Sequence, residues 1–80
     1  MRIDKFLKVS RLIKRRTAAA EACDAGRVTV GDKIVKPAYD VKVGDVITIA
    51  FGDRSVSVRV LKLLESTKKE DAESMYEAVV

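Results

Sequence analysis

The sequence predicts an α+β domain in which two short N-terminal helices pack on a small twisted antiparallel sheet of four to five strands, followed by a C-terminal helix. Three observations predict it. Apolar residues recur at helical spacing up to Gly26, they alternate with period two from Arg27 to Leu61, and the helical period returns after Thr67. Eighty residues suit one domain, which at this size buries only about 60% of its unfolded surface and leaves little room for a deep active site.

The first helix follows a short extended lead-in at Arg2-Ile3. Asp4 is its expected N-cap, with Ile3, Phe6 and Leu7 at core spacing and Lys5 and Lys8 facing outward. Asp4 has a second reading, as a carboxylate that holds a nearby arginine in a fixed orientation, because a lone acid among cations will be paired. On a continuous helix Lys8, Arg11 and Arg15 would share one face. Leu12 and Ile13 are expected to anchor the turn that follows.

The second helix carries Ala18, Ala19, Ala22 and Ala25 on one stripe. Thr17 is placed as its N-cap, and Gly26 ends it in a left-handed conformation. Cys23 lies within this helix and is expected to pack as a small apolar residue. Lys14, Arg15 and Arg16 therefore precede a helix N-terminus, where the macrodipole favours acids, so their complement is an external anion such as a nucleic-acid phosphate. The alternative is a solvated basic turn.

The sheet begins with Arg27 to Val30 and Lys33 to Lys36 around a Gly31-Asp32 turn, and Pro37 stops the second strand. A loop through Tyr39 and a turn at Val43-Gly44-Asp45 deliver the chain into Val46 to Phe51. A tight turn at Gly52-Asp53 feeds Ser55 to Leu61. The tail has a capping-box pattern at Thr67-Lys68-Lys69-Glu70, and Ala72, Met75, Tyr76 and Val79 predict a helix from about Lys68 to Glu77. Residues 1–61 thus form the expected main domain, and 62–80 an acidic helical extension packed on it.

Charge is distributed unevenly. The chain carries 16 Lys and Arg against 12 Asp and Glu, yet residues 1–16 alone hold seven cations against Asp4, a net of +6. The remaining residues carry nine cations and eleven acids, and the last sixteen have a net of −3. That polarisation is expected of a nucleic-acid face at one end. Only four aromatics occur, and Phe6 and Phe51 are expected in the core, so no row of rings is available for unpaired bases and phosphate geometry should dominate recognition.

Several function classes are excluded. One cysteine and no histidine leave no internal disulfide, no usual zinc constellation and no Ser-His or Cys-His triad, and no Gly-rich phosphate loop is present. No cleavable signal or membrane-spanning run is seen, which with the single cysteine predicts a cytoplasmic, reduced protein, while the missing constellations predict one that is not an enzyme and holds no cofactor or metal.

Arg2-Ile3-Asp4-Lys5-Phe6-Leu7, Arg16-Thr17, Gly26 to Val30 with its glycine turn, Lys36-Pro37 and Val43-Gly44-Asp45 together resemble the RNA-binding domain of small-subunit ribosomal protein S-four, the S4 domain or alpha-L motif. The resemblance covers about residues 2–50. It implies that the two helices and their connecting turn form an RNA face, with Arg2, Lys5, Lys8, Arg11, Lys14, Arg15, Arg16 and Thr17 binding RNA and Asp4 supporting them. Gly31-Asp32 stands where the family more often has Asn-Gly.

A stand-alone S4 domain extended by Thr67-Lys68-Lys69-Glu70, Ala72 and Met75-Tyr76 is further similar to the RqcP-type family of bacterial ribosome-associated quality control and its heat-shock S-four relatives. That resemblance implies a monomer, off the membrane, that binds rRNA of a large ribosomal subunit obstructed by peptidyl-tRNA, contacts the tRNA, and supports alanine tailing with an RqcH-type factor. Two alternatives stay open: a general structured-RNA-binding module of ribosome recycling or assembly, and a protein-interaction module using the acidic tail.

Overall fold

The computed structural model describes residues 1–65 and 68–79. Helix α1 spans Ile3–Val9 and α2 spans Arg16–Asp24. Strands β1 (Val28–Val30), β2 (Lys33–Ile34), β3 (Val46–Phe51) and β4 (Arg54–Val60) follow, and a short helix α3 (Lys69–Ala72) and a 3-10 turn (Glu73–Met75) lead into β5 (Tyr76–Ala78). The five strands form one antiparallel sheet in the order β2-β1-β3-β4-β5.

Register explains the core. Pairing of Val28 with Ile49, and of Ile47 with Val58, puts these side chains on one face, where they meet Ile3, Phe6 and Leu7 of α1 and Ala19 and Cys23 of α2. The opposite face carries Thr48 and Ser57, whose hydroxyls lie 2.8 Å apart in a cross-strand hydrogen bond. Period-two alternation thus gives one face to the core and one to solvent.

The hairpin turns follow the sequence. Val30 faces Lys33 across Gly31-Asp32, and Gly31 has φ 61° while Asp32 does not enter the left-handed region, so glycine serves the first turn position as in a type II′ turn. At the end of α2, Gly26 adopts φ 75°, its N–H donates to the Cys23 carbonyl and the Arg27 N–H donates to the Ala22 carbonyl. This is a Schellman closure, and it needs the left-handed residue the sequence supplies.

Several expectations are corrected. Asp4 does not cap α1; Arg2 occupies the N-cap and Asp4 is the second helical residue. The loop after β2 does the capping instead, with the Ile3 N–H donating to the Tyr39 carbonyl at 2.8 Å and the Asp4 N–H to the Pro37 carbonyl at 3.3 Å. Thr17 likewise lies inside α2, because the extended backbone at Arg15 (φ −128°, ψ 142°) starts the helix earlier without any side-chain cap. Of the alanine stripe, Ala19 is buried and Ala22 half-buried while Ala18 and Ala25 are exposed, since Ala19 and Cys23, one turn apart, define the inward face.

The first helix ends at Val9, so Lys8, Arg11 and Arg15 do not share one helical face. Phe51 is 46% exposed, because it closes β3 beside the Gly52 turn, beyond the buried positions Ile47 and Ile49. In the tail, helix holds only for Lys69–Ala72; the chain then pairs as a strand, with Tyr76 opposite Val60 and Ala78 opposite Val58. Ala72 and Met75 are buried as their spacing suggests, but backbone pairing with the open edge of β4 replaces the last helical turns. Thr67, the first residue of the capping-box pattern, lies outside the described residues.

Candidate nucleic-acid interface

Apolar spacing dictates how the basic edge is built. Ile3, Phe6 and Leu7 fix α1 on the sheet, Ala19 and Cys23 fix α2 beside it, and half-buried Leu12 and Ile13 hold the turn between them against the core. Small residues on α2 let the two helices approach closely. Their exposed sides and the turn carry the cations.

Asp4 is the hub of this edge. It is 4% exposed, and its Oδ1 accepts a hydrogen bond from the Lys5 N–H at 2.7 Å. The Arg2 guanidinium donates twice, Nε to Oδ1 and Nη2 to Oδ2, both at 3.2 Å, while Arg16 Nη2 stands 3.4 Å from Oδ1. One buried carboxylate therefore joins the N-cap of α1 to the first residue of α2. The arginine side chains remain about half exposed, at 53% and 47%, so each can direct further N–H donors outward.

That arrangement bears on recognition in two ways. A buried carboxylate without partners would be costly, so Asp4 and the two arginines hold one another in place before any ligand arrives. Guanidinium groups oriented in advance also lose less entropy when they form bidentate bonds to a phosphate. Arg16 further stands at the positive end of the nine-residue α2, and among the described residues no protein group accepts from the N–H of Arg16, Thr17 or Ala18.

The remaining site residues expected from sequence are placed as follows. Lys8 is exposed in the last turn of α1, Arg11, Lys14 and Arg15 are exposed in the turn between the helices, and Thr17 is exposed in the first turn of α2. Among the described residues no carboxylate pairs with Lys8, Arg11, Lys14 or Arg15. Lys5 differs, being ion-paired with Glu65 at the start of the tail. Its ammonium group holds the Glu65 carboxyl below its ordinary range, chiefly through the hydrogen bond between them.

The sequence points to an arginine beside Asp4 without specifying which, and it carries no sign of the Glu65 contact or of the carbonyl caps from Pro37 and Tyr39. A lone acid among cations was the signal for the first. No local signal exists for the others, because they join residues far apart in the chain. Among the described residues no group of His, Cys, Asp and Glu could hold a metal ion, and no helix is long and apolar enough to cross a membrane.

Comparisons with known proteins give the family and the fold. A protein-family model described as the S4 domain matches residues 1–47. The chain is 52% identical over 79 residues to an RQC P-site tRNA stabilizing factor of Streptococcus pneumoniae, covering 99% of this chain and 90% of that protein. It is 54% identical over 76 residues to the protein of the same name from Bacillus subtilis, covering 95% and 88%. Among solved structures it is similar to heat shock protein 15 of Vibrio cholerae, described as trimeric, with a TM-score of 0.91 at 25% identity, covering 99% of this chain and 81% of that one. The solution structure of a hypothetical protein gives a TM-score of 0.85 at 29% identity, covering 100% and 98%.

Proposed function

The chain belongs to the S4-domain family, and on that premise we propose that its basic helical edge binds structured RNA of the ribosome and holds a tRNA there. The observation that carries this reading is the buried Asp4 carboxylate that orients Arg2 and Arg16 at the open end of α2. Relatives about half identical over nearly the whole chain are named as P-site tRNA stabilizing factors, which supports a role in ribosome quality control.

In its fuller form the protein acts on a large ribosomal subunit still carrying peptidyl-tRNA, touches rRNA and tRNA together, and supports alanine tailing by an RqcH-type factor. Arg2, Lys5, Lys8, Arg11, Lys14, Arg15, Arg16 and Thr17 contact phosphates, and Asp4 acts through Arg2 and Arg16. Residues 1–61 are the RNA-binding unit, working as a monomer, and 62–80 an extension that closes the sheet. Phosphate clamping is chemically sufficient for this role, since stabilising a bound tRNA requires contacts and no bond-making step.

The test is co-sedimentation with purified bacterial large subunits prepared with and without peptidyl-tRNA. Binding that is strong with tRNA and weak without it supports the reading. Equal binding to subunits lacking tRNA would instead assign the protein to recycling or assembly.

A further inference from the structure

The face of the sheet that packs on the helices is longer than the helices that cover it. Ile47, Ile49 and Phe51 alternate onto that face along β3, with Val58, Val56 and Arg54 opposite them in β4. Cover then fails toward the hairpin tip. Ile47, Ile49 and Val58 are at most 1% exposed, whereas Val56 is 39% and Phe51 46% exposed. The reason is where α2 stops. It ends at Asp24, the chain reverses at Gly26, and the Arg27 carbonyl already accepts from the Ala50 N–H at 2.9 Å, so the last rung of the hairpin stands past the helical layer.

That rung pairs Phe51 with Arg54 across the two-residue Gly52-Asp53 turn, where Gly52 has φ 61°. Directly opposed residues share a face, so a ring and a guanidinium occupy the tip together, on the side of the sheet that carries the helices. Both residues are exposed, and among the described residues no carboxylate pairs with Arg54. Continuous pairing from Val46 with Arg59 to Phe51 with Arg54 holds the backbone beneath them.

We propose that Phe51 and Arg54 form a stacking site for one unpaired base of the bound RNA. Unpaired bases are held on aromatic rings and on arginine planes, and the tip offers one of each. Size separates this occupant from a protein. A stable protein interface needs about 800 Å² on each side, far more than one ring, one valine and one arginine supply, whereas a single base needs no more than these. The inference rests on the RNA-binding reading above and adds a contact of different chemistry to it. Arg16 opens α2 and the hairpin tip lies beyond its far end, so the phosphate site and the base site stand at opposite ends of a nine-residue helix about 14 Å long. An RNA with a stem phosphate at one place and an unstacked base at the other satisfies both; a plain duplex satisfies only the first.

The probes are a folded tRNA transcript, which offers unpaired loop bases, and a blunt RNA duplex, which offers none. Each is titrated at several salt concentrations with wild type, Phe51→Leu, Phe51→Tyr, Arg54→Ala and Arg16→Ala. Phe51→Leu should bind the transcript about tenfold more weakly with its log–log salt slope unchanged, since stacking neutralises no phosphate. On the duplex the same variant should match wild type. Phe51→Tyr keeps a ring and should bind both probes as wild type does. Arg54→Ala should bind the transcript more weakly, because the second plane of the site is gone.

Full affinity of Phe51→Leu for the transcript, with Arg16→Ala impaired, would overturn the base site and leave the phosphate interface standing. An equal loss on transcript and duplex would overturn it too, because the ring would then be reading no unpaired base. Wild-type binding of both probes by Arg16→Ala would overturn the RNA-binding reading itself. Melting of Phe51→Leu should stay within about 4 °C of wild type, as for a surface substitution in a domain of this size. A larger drop would show that the ring serves the free fold, which also overturns the inference.

Discussion

The Asp4 carboxylate stands 3.4 Å from the Arg16 guanidinium, linking the first turn of α1 to the first residue of α2 through a group that solvent barely reaches. The contact separates two effects of charge. Asp4→Asn adds one unit of positive charge to an already basic edge, which by itself should tighten RNA binding. Loss of the ionic hold on Arg2 and Arg16 should weaken it. We expect weaker binding, together with a stability cost of about 1 kcal/mol because asparagine can still accept from the Lys5 N–H. Tighter binding by the folded variant would show that orientation is irrelevant.

Arg16→Ala should remove most RNA binding while the domain stays folded. Arg16 is half exposed, so truncation leaves no cavity, and charge-assisted bonds to a phosphate contribute about 1.5 to 3 kcal/mol of binding. Circular dichroism checks the fold and filter binding checks the affinity.

Glu65→Gln releases Lys5 from its ion pair. The pair is exposed on the Glu65 side, where such contacts contribute less than about 1 kcal/mol, so melting should hardly change. RNA affinity should stay level or rise slightly as Lys5 becomes free. Charge reversal at Glu70, Asp71 and Glu73 should likewise leave RNA affinity level or slightly raised, and a clear loss would place the tail within the RNA face.

Met75→Ala tests the tail as part of the core. Met75 is fully buried beneath the strand pairing of β4 with β5, and truncating such a residue costs about 2–5 kcal/mol. Urea unfolding should show that loss, while RNA binding at low temperature, where the variant is folded, should persist.

Cys23 offers a pH test. Burial, followed by the nearby charges of Asp4 and Asp24, raises its thiol above the ordinary value, so the folded state keeps its proton longer than the unfolded chain. Its contribution to stability is fully present below the ordinary thiol value and is lost as pH rises from there through the raised value of the folded thiol, because in that range the unfolded state binds fewer protons. Native protein at pH 8 should react slowly with iodoacetamide and quickly once unfolded; rapid native alkylation would show an open α2–sheet contact.

Which features were legible follows from what each depends on. Period-two alternation and the glycine turns marked β1, β3 and β4 closely, since both depend on neighbours in sequence. The caps were misplaced for a physical reason: α1 is capped by carbonyls some 35 positions away, which left the Asp4 side chain for arginine. Helical spacing of Ala72, Met75 and Tyr76 suited a helix as well as it suited a short helix, a turn and a strand, and the free edge of β4 decided between them.

By itself the sequence determined the basic edge, the two helices, the alternating sheet and the family, because spacing, charge and turn chemistry are local properties of the chain. Only the tertiary structure decided that Arg2 and Arg16 share Asp4, that Lys5 is engaged by Glu65, that the tail completes the sheet, and that Phe51 stands beyond the helices that cover the core. Those arrangements depend on which distant groups packing brings together, and on where burial makes an unpaired charge or an open strand edge costly.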